Sequence, residues 1–331
     1  MLQELDKKIL YSLDEDSSKS LTKIGQELGI TPQLVKYHLE KLEKEGVILA
    51  YWPMIEFRKL GYFNVSYFLK LKNLSGEAEK SMYQYLKNKN DFNIVMRGDG
   101  YWDLHVTIST KSIFRSVEIF NGFYDKFHHY ISTYDTAISV GFYQFRREYL
   151  NEKKTVKKVS KNAMAYTGAD VPEIALKKKD LEIIEEINRN SRQGFSDIAS
   201  KLKISRDSVI YGMEKIQKDG IVQSHALLLD HEKIGFPRFR ILIQMTNLTS
   251  EKFQEFFDFC QDHPNIIHLL RLFGNWQALI DVEIENREKL RKILGQITNK
   301  FDGLILRLEN TQVYKIDKFR DIPLKIIKTD N

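Results

Sequence analysis

The chain repeats itself over most of its length at one fixed offset, and this duplication constrains its fold more than any other feature. Residues typical of turns and buried positions recur 174 positions later with almost no gaps. The matched pairs include Asp6 and Asp180, Gly46 and Gly220, Gly61 and Gly235, Gly100 and Gly274, and Trp102 and Trp276. A single long offset predicts duplication of a whole unit, about 145 residues long, rather than a solenoid of short repeats. A length of 331 residues likewise favours two or more domains.

Each unit begins with the pattern of a helix-turn-helix. In residues 20–48, Gly29 ends one helix, and Thr31 and Pro32 suit the N-cap and first turn of the next, which ends near Gly46. The apolar positions with helical spacing are Leu21, Ile24, Leu28, Val35, Leu39 and Leu42. Residues 194–222 repeat this pattern. Two short helices joined by a glycine-containing turn typically place the second helix in the major groove of DNA.

After a strand or wing at 47–55, the first unit has the pattern of a β-α-β-β-α-β domain, the ferredoxin-like order. We predict strands at 62–71, 92–97, 102–109 and 136–145 and helices at 77–89 and 112–127, with a tight turn at Gly98-Asp99-Gly100. The pattern of the second unit predicts the same β-α-β-β-α-β order between residues 238 and 314. The predicted domain boundaries are 1–55 and 179–229 for the winged helix-turn-helix units, 56–145 and 230–331 for the βαββαβ domains, and 146–178 for a linker. The fold class is α+β.

The segment between the units carries all of the net basicity. Residues 146–179 hold ten Lys or Arg and four Asp or Glu, a balance of +6 that equals the net charge of the whole chain. Such a segment suits an arm that follows DNA phosphates, or equally a solvated tether.

Two motifs carry a resemblance to a known family. Leu42-Glu43-Lys44-Glu45-Gly46-Val47-Ile48 closes the second helix, and Gly100-Tyr101-Trp102-Asp103 joins the middle strands. With their spacing and second copies, the chain resembles the Lrp/AsnC family of transcription regulators, tandemly duplicated. The resemblance implies operator binding by the helical domain. It also implies dimerisation and small-molecule sensing, often of amino acids, by the βαββαβ (RAM-type) domain, with Gly100, Tyr101, Trp102 and Asp103 as ligand-binding candidates.

The chain departs from that family pattern in two respects. Two units are fused where the family has one, and the second copy reads Gly274-Asn275-Trp276-Gln277, with an amide in place of Asp103. If that carboxylate holds a ligand or the turn, we expect the second site to be altered or lost.

The predicted recognition helix at 31–45 has an outward face suited to DNA. Thr31, Gln33, Lys36, Tyr37 and Glu40 lie off the apolar stripe. Glutamine can pair with adenine, lysine with guanine or phosphate, and tyrosine with phosphate or a thymine methyl. A solvated helix face has a similar composition, and is the alternative interpretation.

The second recognition helix, at 205–219, is less suited to reading bases. Ile210 stands where the first copy has Lys36, and Gly212 where it has His38. Ser205, Arg206, Ser208 and Tyr211 are its DNA-binding candidates. This helix either supports the first on DNA or contacts protein instead.

Duplication suggests two assemblies. The two sheets pack against each other as an intramolecular pseudo-dimer, which would set the recognition helices about 34–36 Å apart or at a multiple of that spacing. Alternatively, each unit pairs with its counterpart in a second chain, giving a homodimer with four helical domains. In both cases we predict double-stranded DNA as the partner. Because the two units differ, the pseudo-dimer predicts an imperfect palindrome as the operator.

Other classes of protein fit the sequence less well. There is no uncharged apolar run near 18 residues, which argues against a membrane span, and the single cysteine fits a cytoplasmic protein. His128-His129, and Cys260 with His263, lack metal-site spacing, so we predict no metal or cofactor. The tandem architecture also resembles siroheme decarboxylases, but histidines such as His105 do not recur in register. We therefore predict a regulator rather than an enzyme. A tetrapyrrole enzyme, and a sensor or partner of another regulator that does not itself bind DNA, are the alternatives.

Overall fold

Each half of the chain folds into three helices and a strand, followed by a βαββαβ unit. The computed structural model describes residues 2–151, 164–166, 171–320 and 322. The first half contains α1 (Glu4–Glu15), α2 (Leu21–Leu28), α3 (Pro32–Lys44), β1 (Ile48–Ile55), β2 (Phe63–Leu71), α4 (Gly76–Asn88), β3 (Phe92–Gly100), β4 (Leu104–Thr110), α5 (Ile113–Phe127) and β5 (Ile131–Gln144). The predicted α+β class and element order are confirmed.

The second half repeats these elements after a short strand, β6 (Met164–Tyr166). It contains α6 (Lys178–Arg189), α7 (Phe195–Leu202), α8 (Arg206–Lys218), β7 (Val222–Leu229), β8 (Arg238–Met245), α9 (Ser250–Asp262), β9 (Ile266–Gly274), β10 (Ala278–Glu283), α10 (Arg287–Lys300) and β11 (Ile305–Phe319). No helix in the described part of the chain is long and apolar enough to cross a bilayer.

The first three helices form a small core because their apolar stripes face one another. Ile9 and Leu13 of α1, Ile24 of α2, and Val35 and Leu39 of α3 are all buried in one cluster. The Thr31 side-chain oxygen caps α3, as the sequence predicts, and Ser20 caps α2 in the same way. The glycine after α2 adopts a left-handed conformation with φ 68°. The predicted helix-turn-helix is therefore present.

The wing strands pair with each other rather than within their own units. β1 and β7 form a two-stranded antiparallel sheet in which Trp52 lies opposite Ala226. These two residues occupy the same position in the two copies, so a pseudo-two-fold axis passes between them. Crossed backbone hydrogen bonds strengthen the contact: the Ser17 N–H donates to the His225 carbonyl at 2.9 Å, and the Ser191 N–H to the Tyr51 carbonyl at 3.1 Å.

The two βαββαβ sheets close into one barrel. The strand order is β2-β4-β3-β11-β8-β10-β9-β5, and β5 also pairs with β2. Each unit thus uses its outer strands to pair with the other unit, at β3–β11 and β5–β9. The intramolecular pseudo-dimer is the arrangement observed, but the sheets join edge to edge as well as facing each other. Mutual pairing satisfies four strand edges that each sheet alone would leave exposed.

One predicted turn is wrong. Gly98, Asp99 and Gly100 belong to β3 and pair with β11, so the turn lies at residues 101–103. Gly100 has φ 149°, and a Cβ built there would lie 2.5 Å from the Asn310 carbonyl oxygen. Glycine is therefore required for the close approach of β11, a contact between distant parts of the chain that local sequence does not reveal.

The barrel interior holds a buried polar group of four side chains. Arg240 donates from Nε and Nη2 to the Asp281 carboxylate, each at 2.7 Å, and from Nη1 to His105 at 2.7 Å. His268 Nδ1 lies 2.9 Å from Asp281. Burial alone would raise the pKa of Asp281, but the Arg240 guanidinium and the hydrogen bonds hold it well below its ordinary value. The carboxylate therefore stays ionised inside the barrel.

Candidate DNA-binding surface

The outward face of α3 presents the residues that the sequence singles out. Gln33, Lys36, Tyr37 and Glu40 are all exposed, with Tyr37 at 63%. Lys36 Nζ lies 3.6 Å from Glu40 in an i,i+4 pair whose side chains are 63% and 64% exposed. Such a pair is weak in water, so Lys36 is readily released to a new partner.

The N-terminus of α3 is held by Thr31. Its side-chain oxygen accepts the Leu34 N–H at 3.2 Å, so this hydroxyl caps the helix while the residue itself remains exposed. Leu34 is also exposed, at 38%, and is not among the contacts predicted from the sequence. It lies beside Gln33 and off the apolar stripe of Val35 and Leu39. That position in the helical pattern is the sequence signal for Leu34 as a candidate contact, since an apolar side chain suits a thymine methyl.

A buried ionic contact fixes α3 against α1. His38 Nδ1 lies 2.6 Å from the Asp6 carboxylate, and Lys41 Nζ donates to the same carboxylate at 3.3 Å. Burial alone would raise the pKa of Asp6, but the hydrogen bonds led by that from His38 lower it. The contact explains why His38 is buried and therefore does not belong to the reading face.

The outward face of α8 differs in charge and shape. Arg206 and Tyr211 are exposed, Tyr211 at 72%. Ser205 caps the helix by accepting the Ser208 N–H at 3.2 Å, and the two hydroxyls lie 2.8 Å apart. Both serines are thus engaged in the cap itself. Ile210 is only partly exposed and offers no hydrogen bond where the first copy offers Lys36.

The glycine in α8 has a packing reason. A Cβ built on Gly212 would lie 2.5 Å from Cδ1 of Ile183, which comes from α6. Lys215 of α8 still pairs with Asp180 of α6, as Lys41 pairs with Asp6 in the first copy. The second unit therefore replaces the histidine contact with close apolar packing, and its mid-helix glycine does not indicate a disrupted helix.

The turn that carries the ligand-binding candidates is held by its own side chains. Asp103 accepts the Leu71 N–H at 2.7 Å and pairs with Lys70 Nζ at 2.9 Å, and Lys70 also donates to the Gly100 carbonyl at 2.8 Å. The Tyr101 hydroxyl donates to Asp135 at 3.1 Å. These contacts bring Gly100, Tyr101 and Asp103 together around the turn, where a ligand must compete with protein groups.

Trp102 lies beneath that turn and is 1% exposed. Its indole Nε1 has no hydrogen-bond partner among the described residues, whereas Trp276 Nε1 donates to Asp135 at 3.2 Å. The edge of Tyr101 meets Trp276, with ring centroids 5.6 Å apart, so the two turns touch at one end of the barrel.

Gln277 takes over the structural part of Asp103 in the second copy. Its Oε1 accepts the Met245 N–H at 2.8 Å, and its Nε2 donates to the Gly274 carbonyl at 3.0 Å. One amide thus makes both contacts for which the first copy uses Asp103 and Lys70. The second copy thus preserves the turn geometry, and because Gln244 stands where the first copy has Lys70, neutral side chains replace the ion pair.

The start of the predicted basic linker is not a free arm. Arg147 is 2% exposed and pairs with both Asp14 and Glu283. Arg146 stacks over Tyr11, with its guanidinium 3.6 Å from the ring centroid. The two arginines therefore bind protein groups because this segment joins α1 to the barrel. The lysines at 153–161 lie outside the described residues.

Metal ligands do not cluster in the part of the chain that the structure describes. No group of three or more His, Cys, Asp or Glu side chains there is arranged to hold a metal ion. Cys260 is a buried free thiol in α9. His105 and His268 are not at matched positions of the two copies. Both nevertheless line the barrel interior, because barrel closure places β4 and β9 on opposite walls.

Comparison with known proteins places these features in a group of regulators. Residues 2–48 match the family model described as winged helix-turn-helix DNA-binding. An uncharacterised HTH-type transcriptional regulator of Pyrococcus furiosus is 32% identical over 127 residues, which cover 38% of this chain and 79% of the relative. The HTH-type transcriptional regulator LrpC of Bacillus subtilis is 26% identical over 117 residues, covering 35% and 80% respectively.

A solved structure matches both halves of the chain. The siroheme decarboxylase NirDL superposes with a TM-score of 0.60 and covers 97% of this chain and 94% of its own, at 12% sequence identity. At that identity the likeness concerns the fold alone: a tandem arrangement of the two units.

Proposed function

The chain belongs to the Lrp/AsnC type of winged helix-turn-helix transcriptional regulators, and we propose that it binds its operator asymmetrically. In this proposal α3 reads bases and α8 supports it with fewer specific contacts. The observation that carries the proposal is the difference between matched outward positions, Lys36 on α3 and Ile210 on α8.

The chemistry of the two faces supports this division. Gln33 and Lys36 offer amide and ammonium groups that can contact base edges, and Tyr37 adds an exposed ring and hydroxyl. On α8, Arg206 and Tyr211 keep a charge and a ring, which suffice for phosphate contacts. Phosphate contacts contribute affinity without sequence information, so we expect α8 to strengthen binding more than it selects sequence.

The pseudo-two-fold axis through the paired wing strands suggests the form of the operator. Two recognition helices related by such an axis suit half-sites about 10–10.5 base pairs apart, or a multiple of that spacing. Because the two helices differ, we propose an imperfect palindrome with one better-defined half. We propose a cytoplasmic location, since a single cysteine cannot form an internal disulfide.

The proposal is tested by selecting sites from a random duplex DNA pool and measuring binding of the selected site by two double variants. Lys36→Ala with Tyr37→Ala should weaken specific binding by more than about tenfold, corresponding to about 1.4 kcal/mol or more. Arg206→Ala with Tyr211→Ala should weaken it less and reduce the dependence on salt. Thermal denaturation of both variants controls for folding.

Two results would contradict the proposal. Equal losses of specific affinity in the two double variants would refute the asymmetry. Binding that shows no sequence preference and disappears steeply with salt would refute base reading, and would instead favour phosphate contacts by the basic segment.

We also propose that a small molecule such as an amino acid tunes operator binding at the Gly100–Asp103 turn. Asp103 suits a ligand ammonium if Lys70 is displaced, and the Nε1 of Trp102, buried beneath the turn, has no partner among the described residues. We expect one class of amino acid to raise the melting temperature of the wild type but not of Asp103→Asn. If no amino acid changes the melting temperature, this part of the proposal fails.

The tandem fold shared with NirDL makes tetrapyrrole binding a second candidate. Arg240, His105, His268 and Asp281 converge inside the barrel, yet the cavity beside them measures only about 40 Å³. Small-molecule sites usually measure about 300–1,000 Å³. We therefore expect no shift of the Soret band when an iron porphyrin is titrated into the protein. A saturable shift that Arg240→Met abolishes would favour the enzyme instead.

A further inference from the structure

A cavity of about 460 Å³ lies where the two winged helix-turn-helix units meet. The turn between α1 and α2 forms one wall, and α6, α7, α8 and β7 form the other. Ile187, Ile198 and Met213 give it an apolar floor. Its volume falls within the usual range of about 300–1,000 Å³ for small-molecule sites, and no part of the Gly100–Asp103 turn lines it.

Two buried polar side chains in this cavity lack partners. Ser191 is 9% exposed and His225 is 8% exposed, and both line the cavity. The Ser191 Oγ and the His225 Nδ1 have no hydrogen-bond partner among the described residues. Buried polar groups are nearly always paired because leaving one unpaired costs free energy, so two such atoms in one cavity point to a missing partner.

The matched positions in the first half are fully paired. Ser17 corresponds to Ser191, and its hydroxyl donates to the Ala226 carbonyl at 2.9 Å. Tyr51 corresponds to His225, and its hydroxyl donates to Glu43 at 2.6 Å. The second half has a smaller histidine where the first has a tyrosine. The unpaired atoms are therefore peculiar to the second half and do not follow from the fold itself.

Two cationic side chains, Lys19 and Arg192, line the cavity, and no carboxylate is among the described residues that line it. Arg192 Nη1 donates to the Ser17 carbonyl at 2.5 Å and to the Lys19 carbonyl at 3.0 Å, and Arg192 forms no ion pair with a carboxylate in the described part of the chain. Lys19, by contrast, is paired with Glu15 and Glu27. The unneutralised guanidinium favours an anionic ligand group, with which arginine can form a bidentate contact.

We propose that this cavity binds a small organic carboxylate with an apolar body. Arg192 takes the carboxylate, Ser191 and His225 bond a polar substituent, and the apolar body packs on Ile187 and Met213. Burial lowers the pKa of His225, so its ring is neutral near pH 7 and its Nδ1 either accepts or donates a hydrogen bond.

Binding at this position would act on both DNA-binding units at once. Both units contribute walls, so an occupied cavity stabilises one relative arrangement of α3 and α8. This regulatory consequence rests on the proposed function, whereas binding of the carboxylate does not.

The experiment titrates 2-hydroxy-4-methylpentanoate and mandelate, each of which carries a carboxylate, a hydroxyl and an apolar body, into the full chain without DNA. Binding is followed by calorimetry and ligand-observed NMR. Saturable millimolar binding or tighter is expected, with the corresponding carboxamides at least about tenfold weaker because they lack the charge. Arg192→Gln should weaken binding of the carboxylates by about tenfold. The double variant His225→Tyr with Gln217→Glu rebuilds the paired arrangement of the first half and should abolish binding.

Matched serine variants test the unpaired state directly and control for folding. Ser17→Ala removes the hydrogen bond to the Ala226 carbonyl and should lower the melting temperature without weakening binding of the carboxylates. Ser191→Ala removes an unpaired hydroxyl, so it should leave the melting temperature unchanged or raise it while weakening binding.

The proposal is overturned if folded wild-type protein binds neither carboxylate at millimolar concentration. It is equally overturned if the carboxamides bind as well as the acids, or if the His225→Tyr, Gln217→Glu variant binds like the wild type. Operator affinity measured separately on the same samples distinguishes these failures from a failure of DNA binding.

Discussion

Replacing Asp14 by asparagine tests how the first DNA-binding unit is attached to the barrel. Asp14, near the C-terminal end of α1, accepts the Arg147 N–H at 2.7 Å and also a hydrogen bond from Arg147 Nη1. Arg147 Nε donates to Glu283 at 2.7 Å, Arg238 Nη2 donates to Glu283 at 2.6 Å, and the Tyr149 hydroxyl donates to the same carboxylate. These side chains form a buried cluster of two acids and two bases that is neutral as a whole.

The substitution leaves an uncompensated positive charge in a buried place. Burial alone would raise the pKa of Glu283, but Arg147 and Arg238 lower it, so Glu283 stays ionised and cannot absorb the change. Removing one partner of a buried ion pair typically costs about 3–5 kcal/mol. We expect Asp14→Asn to lower the free energy of unfolding by about that amount.

The assay is urea unfolding followed by tryptophan fluorescence, in a double-mutant cycle. Arg147→Gln alone should be similarly costly, since it leaves Asp14 unpaired. The double variant leaves only the balanced pair of Arg238 and Glu283, so it should cost less than the sum of the single variants by about 1 kcal/mol or more. The same samples should show weaker operator binding for Asp14→Asn, because α1 carries α3.

The corresponding position in the second half provides the comparison. Asn188 is neutral, and its amide donates to the Ile322 carbonyl at 3.3 Å. Asn188→Ala should therefore cost only about 0.5–1.5 kcal/mol, the usual worth of a neutral hydrogen bond. The cluster is not an ionic anchor if Asp14→Asn lowers the free energy of unfolding by less than about 1 kcal/mol. The same conclusion follows if the effects of the two substitutions in the cycle simply add.

Three further predictions concern the barrel. Gly100→Ala should destabilise the fold by about 1–3 kcal/mol in urea unfolding, because its Cβ would press on the Asn310 carbonyl; an unchanged midpoint would contradict the close approach of β11. Burial lowers the pKa of His105 and of His268, so below about pH 6.5 the unfolded chain takes up protons that the folded chain does not. The free energy of unfolding should then fall on acidification by up to about 1.4 kcal/mol per pH unit for each histidine. A melting temperature that stays constant between pH 7 and pH 5 would contradict this prediction. Burial also raises the pKa of the Cys260 thiol well above its usual value, so a thiol reagent should modify Cys260 only when the protein unfolds. Rapid modification of Cys260 in the folded protein would contradict this prediction.

The DNA-binding surface illustrates what local sequence can predict. Helix periodicity identified the outward residues Gln33, Lys36 and Tyr37, and the structure exposes all three. It also identified the buried positions Val35 and Leu39. Such predictions succeed because the helical repeat places residues on a face whatever the rest of the chain does.

The barrel illustrates where local sequence is insufficient. The Gly98-Asp99-Gly100 pattern predicts a turn because closely spaced glycines usually indicate one, whereas these residues pair with β11, more than 200 positions away. The sequence shows that His225 replaces Tyr51, but it does not show that Ser191 lacks a partner, because the matched Ser17 bonds to the Ala226 carbonyl, 209 positions away. Contacts across large sequence separations depend on strand pairing, which has no local pattern.

The amino-acid sequence by itself determined the duplication, the element order of each unit and the outward face of α3, because offset, periodicity and capping are local properties of the chain. Tertiary structure alone decided that the two sheets close into one barrel and that the wings of the two units pair with each other. It also placed Arg147 and the cavity beside His225 between the halves. The physical reason is that two units with the same order of elements present the same edges. Only their mutual packing determines which edge pairs with which and which polar atoms remain without partners.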